Sequence, residues 1–134
     1  MKTLLLALVA ILSIGTTTIA SQNRPETLRH ETFSVRYGNQ KRIARGELTM
    51  RFITVMEDSR CPVGVNCVWA GNAKIKVKVT DRRGHSKVME LNTNGEPRGE
   101  QFGRYAINLV SLTPEPRQNS KPARSRYTAT FSIS

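Results

Sequence analysis

Apolar and polar residues alternate along much of the chain after residue 31, which is the pattern of strands with one buried face. The alternation is cleanest over 74–79, where lysines separate Ile75, Val77 and Val79. A helix would spread these residues around its circumference, whereas a strand places the two kinds on opposite faces. We therefore predict a strand here, with its apolar side facing the core and Lys74, Lys76 and Lys78 projecting together on the other side.

The same alternation, or a strand-like composition, predicts further strands at 33–37, 48–55, 87–91, 105–109 and 127–133. The phase breaks at Ile53, which predicts a bulge near Phe52 and Ile53. A turn signal at 81–84 makes 74–91 a hairpin. We expect loops at 92–103 and 117–124. Six or seven short strands without helical periodicity predict one all-β domain, a β-sandwich or a partly open barrel, and we favour the sandwich.

The first twenty residues have the three-part layout of an export signal. Lys2 gives a positive start, an uninterrupted apolar run covers 4–12, and small residues precede a cut after Ala20. A membrane-spanning helix needs about 20 apolar residues, and this run is about half as long. We predict a signal at 1–20 and a single domain at 21–134 that starts with a loose leader at 21–31. The mature protein is then periplasmic or extracellular, without a transmembrane segment.

Charge narrows the class of partner. The formal net charge is +11, and loss of Lys2 with the signal leaves +10. A small protein with so high a positive net charge favours anionic partners. The charge lies in four clusters: Lys41, Arg42 and Arg45; Lys74, Lys76 and Lys78; Arg82 and Arg83; and Arg117, Lys121, Arg124 and Arg126. These clusters are either solvated surface that protects strand edges or an adhesive face for anionic polymers, with Lys74, Lys76, Lys78, Arg82 and Arg83 as candidate anion-binding residues. No recognised nucleic-acid module is present, so we expect no sequence-specific reading of nucleic acid.

Segment 58–73 contains both cysteines and the single Trp. Two cysteines in an exported chain usually pair, and Pro62 and Gly64 let the chain between Cys61 and Cys67 curl back. Such a disulfide closes a short loop and stabilises the fold by roughly 2–2.5 kcal/mol if chain entropy dominates.

Part of this segment has the sequence DSRCP at 58–62 and CVWAG at 67–71. It resembles a segment of small secreted or lipid-anchored bacterial proteins that are generally described only as hypothetical. The resemblance is specific over 58–73 and extends in outline to the later strands. It implies export but no particular activity, ligand or catalytic residue. Because no Cys lies near the predicted cut, we expect free secretion rather than lipid anchoring.

Two interpretations of this loop stay open. It is a stapled crossover, with Trp69 packed on the sheet and Asp58 paired with Arg60 or with backbone amides, or it is a recognition loop that uses the same three residues. Dithiol oxidoreductases favour two residues between their cysteines, whereas five intervene here. The histidines lie far from both cysteines, so we expect no metal and no cofactor.

The sequence offers few residues from which a known catalytic site could be built. Only His30, in the leader, and His85, beside a turn, could serve a triad, and no phosphate-binding loop or nucleotide fingerprint appears. We therefore expect a non-catalytic binding domain that associates with anionic envelope or extracellular polymers. The alternative is a protein-binding module, such as a hydrolase inhibitor or an accessory subunit of an envelope assembly, because a rigid loop loses little entropy on binding.

Overall fold

The computed structural model describes residues 30–134, so the predicted signal and nearly all of the leader lie outside the described residues. The described chain forms eight strands: β1 (Glu31–Arg36), β2 (Gln40–Ile43), β3 (Leu48–Asp58), β4 (Ala73–Asp81), β5 (Ser86–Asn92), β6 (Gly99–Phe102), β7 (Tyr105–Thr113) and β8 (Thr128–Ile133). The all-β prediction is confirmed. No helix within residues 30–134 is long and apolar enough to cross a bilayer.

The strands form two four-stranded antiparallel sheets, ordered β1-β8-β7-β6 and β2-β3-β4-β5. Their inner faces pack against each other and enclose one apolar core, as in the predicted sandwich. Phe131 of β8 and Phe52 of β3 are the largest fully buried side chains and come from opposite sheets. The period of two in the sequence is thus the alternation between this core and solvent.

Strand β4 confirms the prediction made from its sequence. Ile75, Val77 and Val79 are each 0% exposed, and the lysines between them lie on the outer face. The bulge predicted near Phe52 is also present, because the register with β4 shifts between Phe52 and Thr54. The extra residue keeps Phe52 and Val55 on the buried side although they are three positions apart.

The prediction failed at two edge strands. The expected loop at 92–103 contains β6, and the sequence pattern predicts no strand where β2 lies. In β2 only Ile43 is buried, and in β6 only Phe102 packs partly against the core. A short edge strand with one inward residue gives no alternation for a sequence pattern to show. In addition, β1 begins at Glu31, the last residue assigned to the leader.

Three connections meet at one end of the sandwich, where β3, β5 and β7 finish. They are the β3–β4 connection at 59–72, the β5–β6 connection at 93–98 and the β7–β8 connection at 114–127. We call this region the loop end. The β4–β5 turn lies at the opposite end of its sheet, since β4 runs away from the loop end.

Candidate functional site

The β3–β4 connection begins as a continuation of the hairpin beyond the sheet. Ser59 N donates to Asn72 O at 2.7 Å, and Cys61 N donates to Ala70 O at 2.8 Å. These pairs form a neck, and residues 62–69 form a tip beyond it. The disulfide predicted between Cys61 and Cys67 is present, with their Cα atoms 5.9 Å apart, and closes the tip.

The neck depends on glycine at position 71. Gly71 has φ +70°, in the left-handed region, and a Cβ there would overlap the Ser59 carbonyl oxygen and lie 2.8 Å from the Arg60 Cα. Because both obstacles are backbone, neither can swing aside. The close pairing of the two arms of the neck therefore requires a residue without a side chain.

A buried ion pair fixes the base of the neck to the other sheet. The Arg60 guanidinium donates to both Asp58 carboxylate oxygens, at 2.8 and 2.7 Å, and also to the carbonyl oxygens of Leu112 and Pro114. The Tyr127 hydroxyl donates to the same carboxylate at 2.8 Å. The two charged side chains are only 12% and 5% exposed. This anchor joins β3 to the end of β7 and the start of β8.

The protonation states of the anchor follow from its contacts. Burial alone would raise the pKa of the Asp58 carboxyl, but hydrogen bonds from Arg60 and Tyr127 outweigh it, so that pKa lies below its usual value. Burial and the hydrogen bond to Asp58 raise the pKa of Tyr127 to about 12. At neutral pH the anchor is a carboxylate, a guanidinium and a neutral phenol. It is a structural element with its groups already paired.

The β5–β6 connection clamps the other arm of the neck. Asn72 Nδ2 donates to the buried Asn92 Oδ1 at 2.8 Å, and the backbone N of Asn94 donates to Asn72 Oδ1 at 3.0 Å. Asn94 Nδ2 reaches the Gly71 carbonyl at 3.2 Å, and Thr93 Oγ1 accepts from the backbone N of Ala73 at 2.9 Å. Both arms of the neck are therefore held by other loops.

The tip itself is apolar and exposed. Val68 is as exposed as in an extended peptide, Trp69 is 63% exposed and Val63 is 55% exposed. The expectation that Trp69 packs on the sheet is wrong. The neck carries position 69 past the last paired residues of β3 and β4, so no sheet face lies beneath the indole. Asp58 and Arg60, also candidate recognition residues, form the anchor that supports the tip.

The β7–β8 connection lies beside the tip. Val63 N donates to Pro116 O at 2.9 Å, which forms a short bridge to Arg117. Segment 114–126 carries four exposed cations and one carboxylate, Glu115: the cations are Arg117, Lys121, Arg124 and Arg126. Of the five ion pairs found within residues 30–134, none involves these four cations. An apolar tip and a basic segment thus share the loop end.

The predicted anion-binding face is less basic than its sequence suggests. Lys76 Nζ lies 3.4 Å from a Glu90 carboxylate oxygen, and Lys74 pairs in register with Glu57 of β3. Lys78 alone has a like-charged neighbour in register, Arg51.

An open groove of about 460 Å³ lies where β4 and β5 meet the β5–β6 connection and β6. Lys74, Lys76, Glu90 and Glu100 contribute to its walls, so both signs of charge meet there. The groove is therefore not a continuous ladder of positive charge.

The structure does not bring Arg82 and Arg83 to the loop end. Both lie in the β4–β5 turn, and the eight residue steps from Ala73 to Asp81, at about 3.3 Å each, separate that turn from the neck by roughly 26 Å. Arg82 donates to Gly46 O at 3.1 Å and lies 3.4 Å from Glu47. These two candidate anion-binding residues therefore lie at the end of β4 that is opposite the loop end.

Comparison of the chain with protein families, curated proteins and solved structures returned no match. The site must therefore be interpreted from its own chemistry.

The sequence pattern did not reveal Tyr127, Asn92 and Asn94 as supports of the neck, because their contacts span 69, 20 and 22 or more residues along the chain. The local signal that was available, the closeness of Asp58 to Arg60, did indicate their ion pair.

Proposed function

We propose that this chain is an exported, non-catalytic binding module that recognises an anionic partner of the cell envelope or extracellular space through its loop end. One observation carries the proposal: Val68 and Trp69 are exposed on a tip that is stapled by a disulfide and anchored on both arms. Single exposed apolar side chains are common on proteins, whereas neighbouring ones that form a patch mark interaction surfaces, and Val68 and Trp69 are neighbours on the tip.

Rigidity supports recognition by this tip. A loop that is already ordered loses little conformational entropy when it binds, and Trp is enriched among the residues that dominate binding energy. The Asp58–Arg60 anchor, the Asn72 contacts and the Cys61–Cys67 bond all restrict the tip before any partner arrives.

Compartment and charge support an anionic partner outside the cytoplasm. Disulfides persist in oxidising compartments, which agrees with the export signal inferred for residues 1–20. Segment 114–126 contacts the tip through the Val63–Pro116 hydrogen bond and carries four exposed cations. Charge of one sign near a binding surface accelerates encounter with the opposite sign.

A second candidate function is charge-driven adhesion through the outer face of β4, and one observation favours it. Arg51 and Lys78 face each other in register, although like charges directly opposite destabilise a sheet. A polyanion would relieve that repulsion. The test is salt elution from heparin: Lys78→Gln should elute at lower salt than Lys76→Gln, whose lysine already pairs with Glu90. Equal elution of the two variants would remove this candidate.

A protein partner, such as a hydrolase that the tip would inhibit or an envelope assembly that it would join, is the other binding mode. The stapled tip favours it because a fixed loop fits a preformed cleft. Identifying the molecule that contacts the tip would distinguish a protein partner from an anionic polymer.

Site-directed photo-crosslinking tests the proposal in intact cells. A photoreactive amino acid at position 69 should give adducts with an envelope component, whereas the same group at Val110, which is 50% exposed on β7, should not. Equal adduct yields at both positions, or none at position 69, would contradict recognition through the loop end.

A further inference from the structure

We propose that the loop end docks on an anionic phospholipid surface, with Val68 and Trp69 inserted at the headgroup boundary and the cations of segment 114–126 on the phosphates. This inference rests on the proposed function and names its partner class. It joins two features of one end of the sandwich, the apolar tip at 62–69 and the basic β7–β8 connection.

The tip has the composition of an interfacial anchor. Trp is enriched at membrane–water interfaces, where its ring is apolar and its N–H stays hydrated. Val68 is fully exposed next to it, and Val63, 55% exposed, lies on the other side of the disulfide-closed turn. In the tip, residues 62–69, no side chain is charged. Insertion to headgroup depth therefore carries no charge into the apolar layer.

The neighbouring segment supplies the electrostatic half of the attraction. Stable attachment at a bilayer surface takes two signals, and an apolar group combined with a polybasic patch is one such pair. Arg117 is joined to the tip through the Val63–Pro116 hydrogen bond, and three more cations follow by Arg126. Arg and Lys side chains on long stems reach mobile headgroups without a fixed geometry.

A lipid surface suits this end better than an acidic protein does. The exposed apolar contact is limited to a few side chains of the tip, whereas a specific protein interface of standard size buries about 800 Å² on each partner. The β5–β6 connection at 93–98, the third connection of the loop end, has no net charge, because the charges of Glu96 and Arg98 cancel. The loop end therefore combines a small exposed apolar tip with one neighbouring basic segment.

The test uses vesicles of phosphatidylcholine alone and vesicles that also contain phosphatidylglycerol. Because Trp69 is the only Trp, its fluorescence reports on the tip alone. We expect cosedimentation and a blue-shifted emission with the phosphatidylglycerol vesicles only, and weaker binding as salt rises. An unchanged emission, or equal binding to both vesicle types, would overturn the inference.

A matched pair of variants locates the contact. Each Lys or Arg near an anionic bilayer strengthens binding about fivefold, so Arg117→Gln with Lys121→Gln should weaken vesicle binding about 25-fold. Arg82→Gln with Arg83→Gln removes the same charge at the opposite end and should have little effect. Equal losses would overturn the inference. If position 69 crosslinks to an envelope protein and vesicles do not bind, the lipid surface is wrong while recognition through the loop end stands.

Discussion

Arg60 should be one of the residues on which stability depends most, although it was a candidate for recognition. In the variant Arg60→Leu the Asp58 carboxylate, 5% exposed, loses its charged partner and keeps only the hydrogen bonds from Tyr127 and from the backbone N of residue 60. The hydrogen bonds to Leu112 and Pro114 across the sandwich are lost as well. Removing one member of a buried ion pair costs about 3–5 kcal/mol.

That loss is large beside the roughly 5–15 kcal/mol that separates folded from unfolded domains. Urea unfolding followed by circular dichroism should show a lower midpoint with an unchanged slope. As a control, Arg42→Leu removes an exposed guanidinium and should change the free energy of unfolding by less than about 0.5 kcal/mol.

A double-mutant cycle decides whether the ion pair is the cause. Asp58→Asn with Arg60→Leu should cost clearly less than the two single changes added together, because the second change no longer leaves a buried charge unpaired. A cost below about 1 kcal/mol for Arg60→Leu, or simple additivity in the cycle, would refute this account of the anchor.

Three further outcomes follow from the neck, the anchor and the tip. Gly71→Ala should lower the free energy of unfolding in urea by about 2–4 kcal/mol, because it adds left-handed strain and an overlap with backbone atoms. Gly64→Ala, at φ +82° but with open space around it, should lower it by about 1 kcal/mol. Equal costs for the two variants would show that the neck is not tightly paired. Because the pKa of Tyr127 is raised to about 12, the unfolded phenol loses its proton near pH 10 while the folded one keeps it. Stability is then intact below about pH 10 and falls by up to about 2–3 kcal/mol by pH 12, and Tyr127→Phe should remove this part of the decline; a parallel pH dependence of both proteins would argue against it. Trp69→Ala should change stability by less than about 0.5 kcal/mol, and native emission should be close to that of free indole in water; a strongly blue-shifted emission in buffer would mean that the indole is buried.

Much of the fold was predictable because a strand with one buried face has apolar and polar residues that alternate along the sequence. The alternation of Ile75, Val77 and Val79 with lysines gave β4 its orientation, and the broken phase at Ile53 indicated the bulge. The disulfide was predictable from two cysteines with a flexible, short separation. Each of these signals is local, so the residues concerned are close together along the chain.

The supports of the site were not predictable by the same means. The Tyr127–Asp58 hydrogen bond joins residues 69 positions apart, and only the packing of the two sheets brings them together. Trp69 is expected to be buried because a single exposed Trp beside a rigid disulfide loop has no obvious structural use. The neck at Cys61 and Ala70, however, extends beyond the sheet and leaves position 69 without a surface beneath it. Sequence pattern shows which residues are apolar and not how far a hairpin projects.

The central claim is that the apolar tip of the loop end holds the protein on its partner. Cell fractionation tests it most directly, by comparing the share of the protein retained in the envelope pellet for two equally folded double variants. Val68→Ser with Trp69→Ser should release the protein into the soluble fraction. Val88→Ser with Val110→Ser removes two valines that are 51% and 50% exposed elsewhere and should leave the distribution unchanged. Retention of the Val68 and Trp69 double variant at the level of the unaltered protein would contradict the claim.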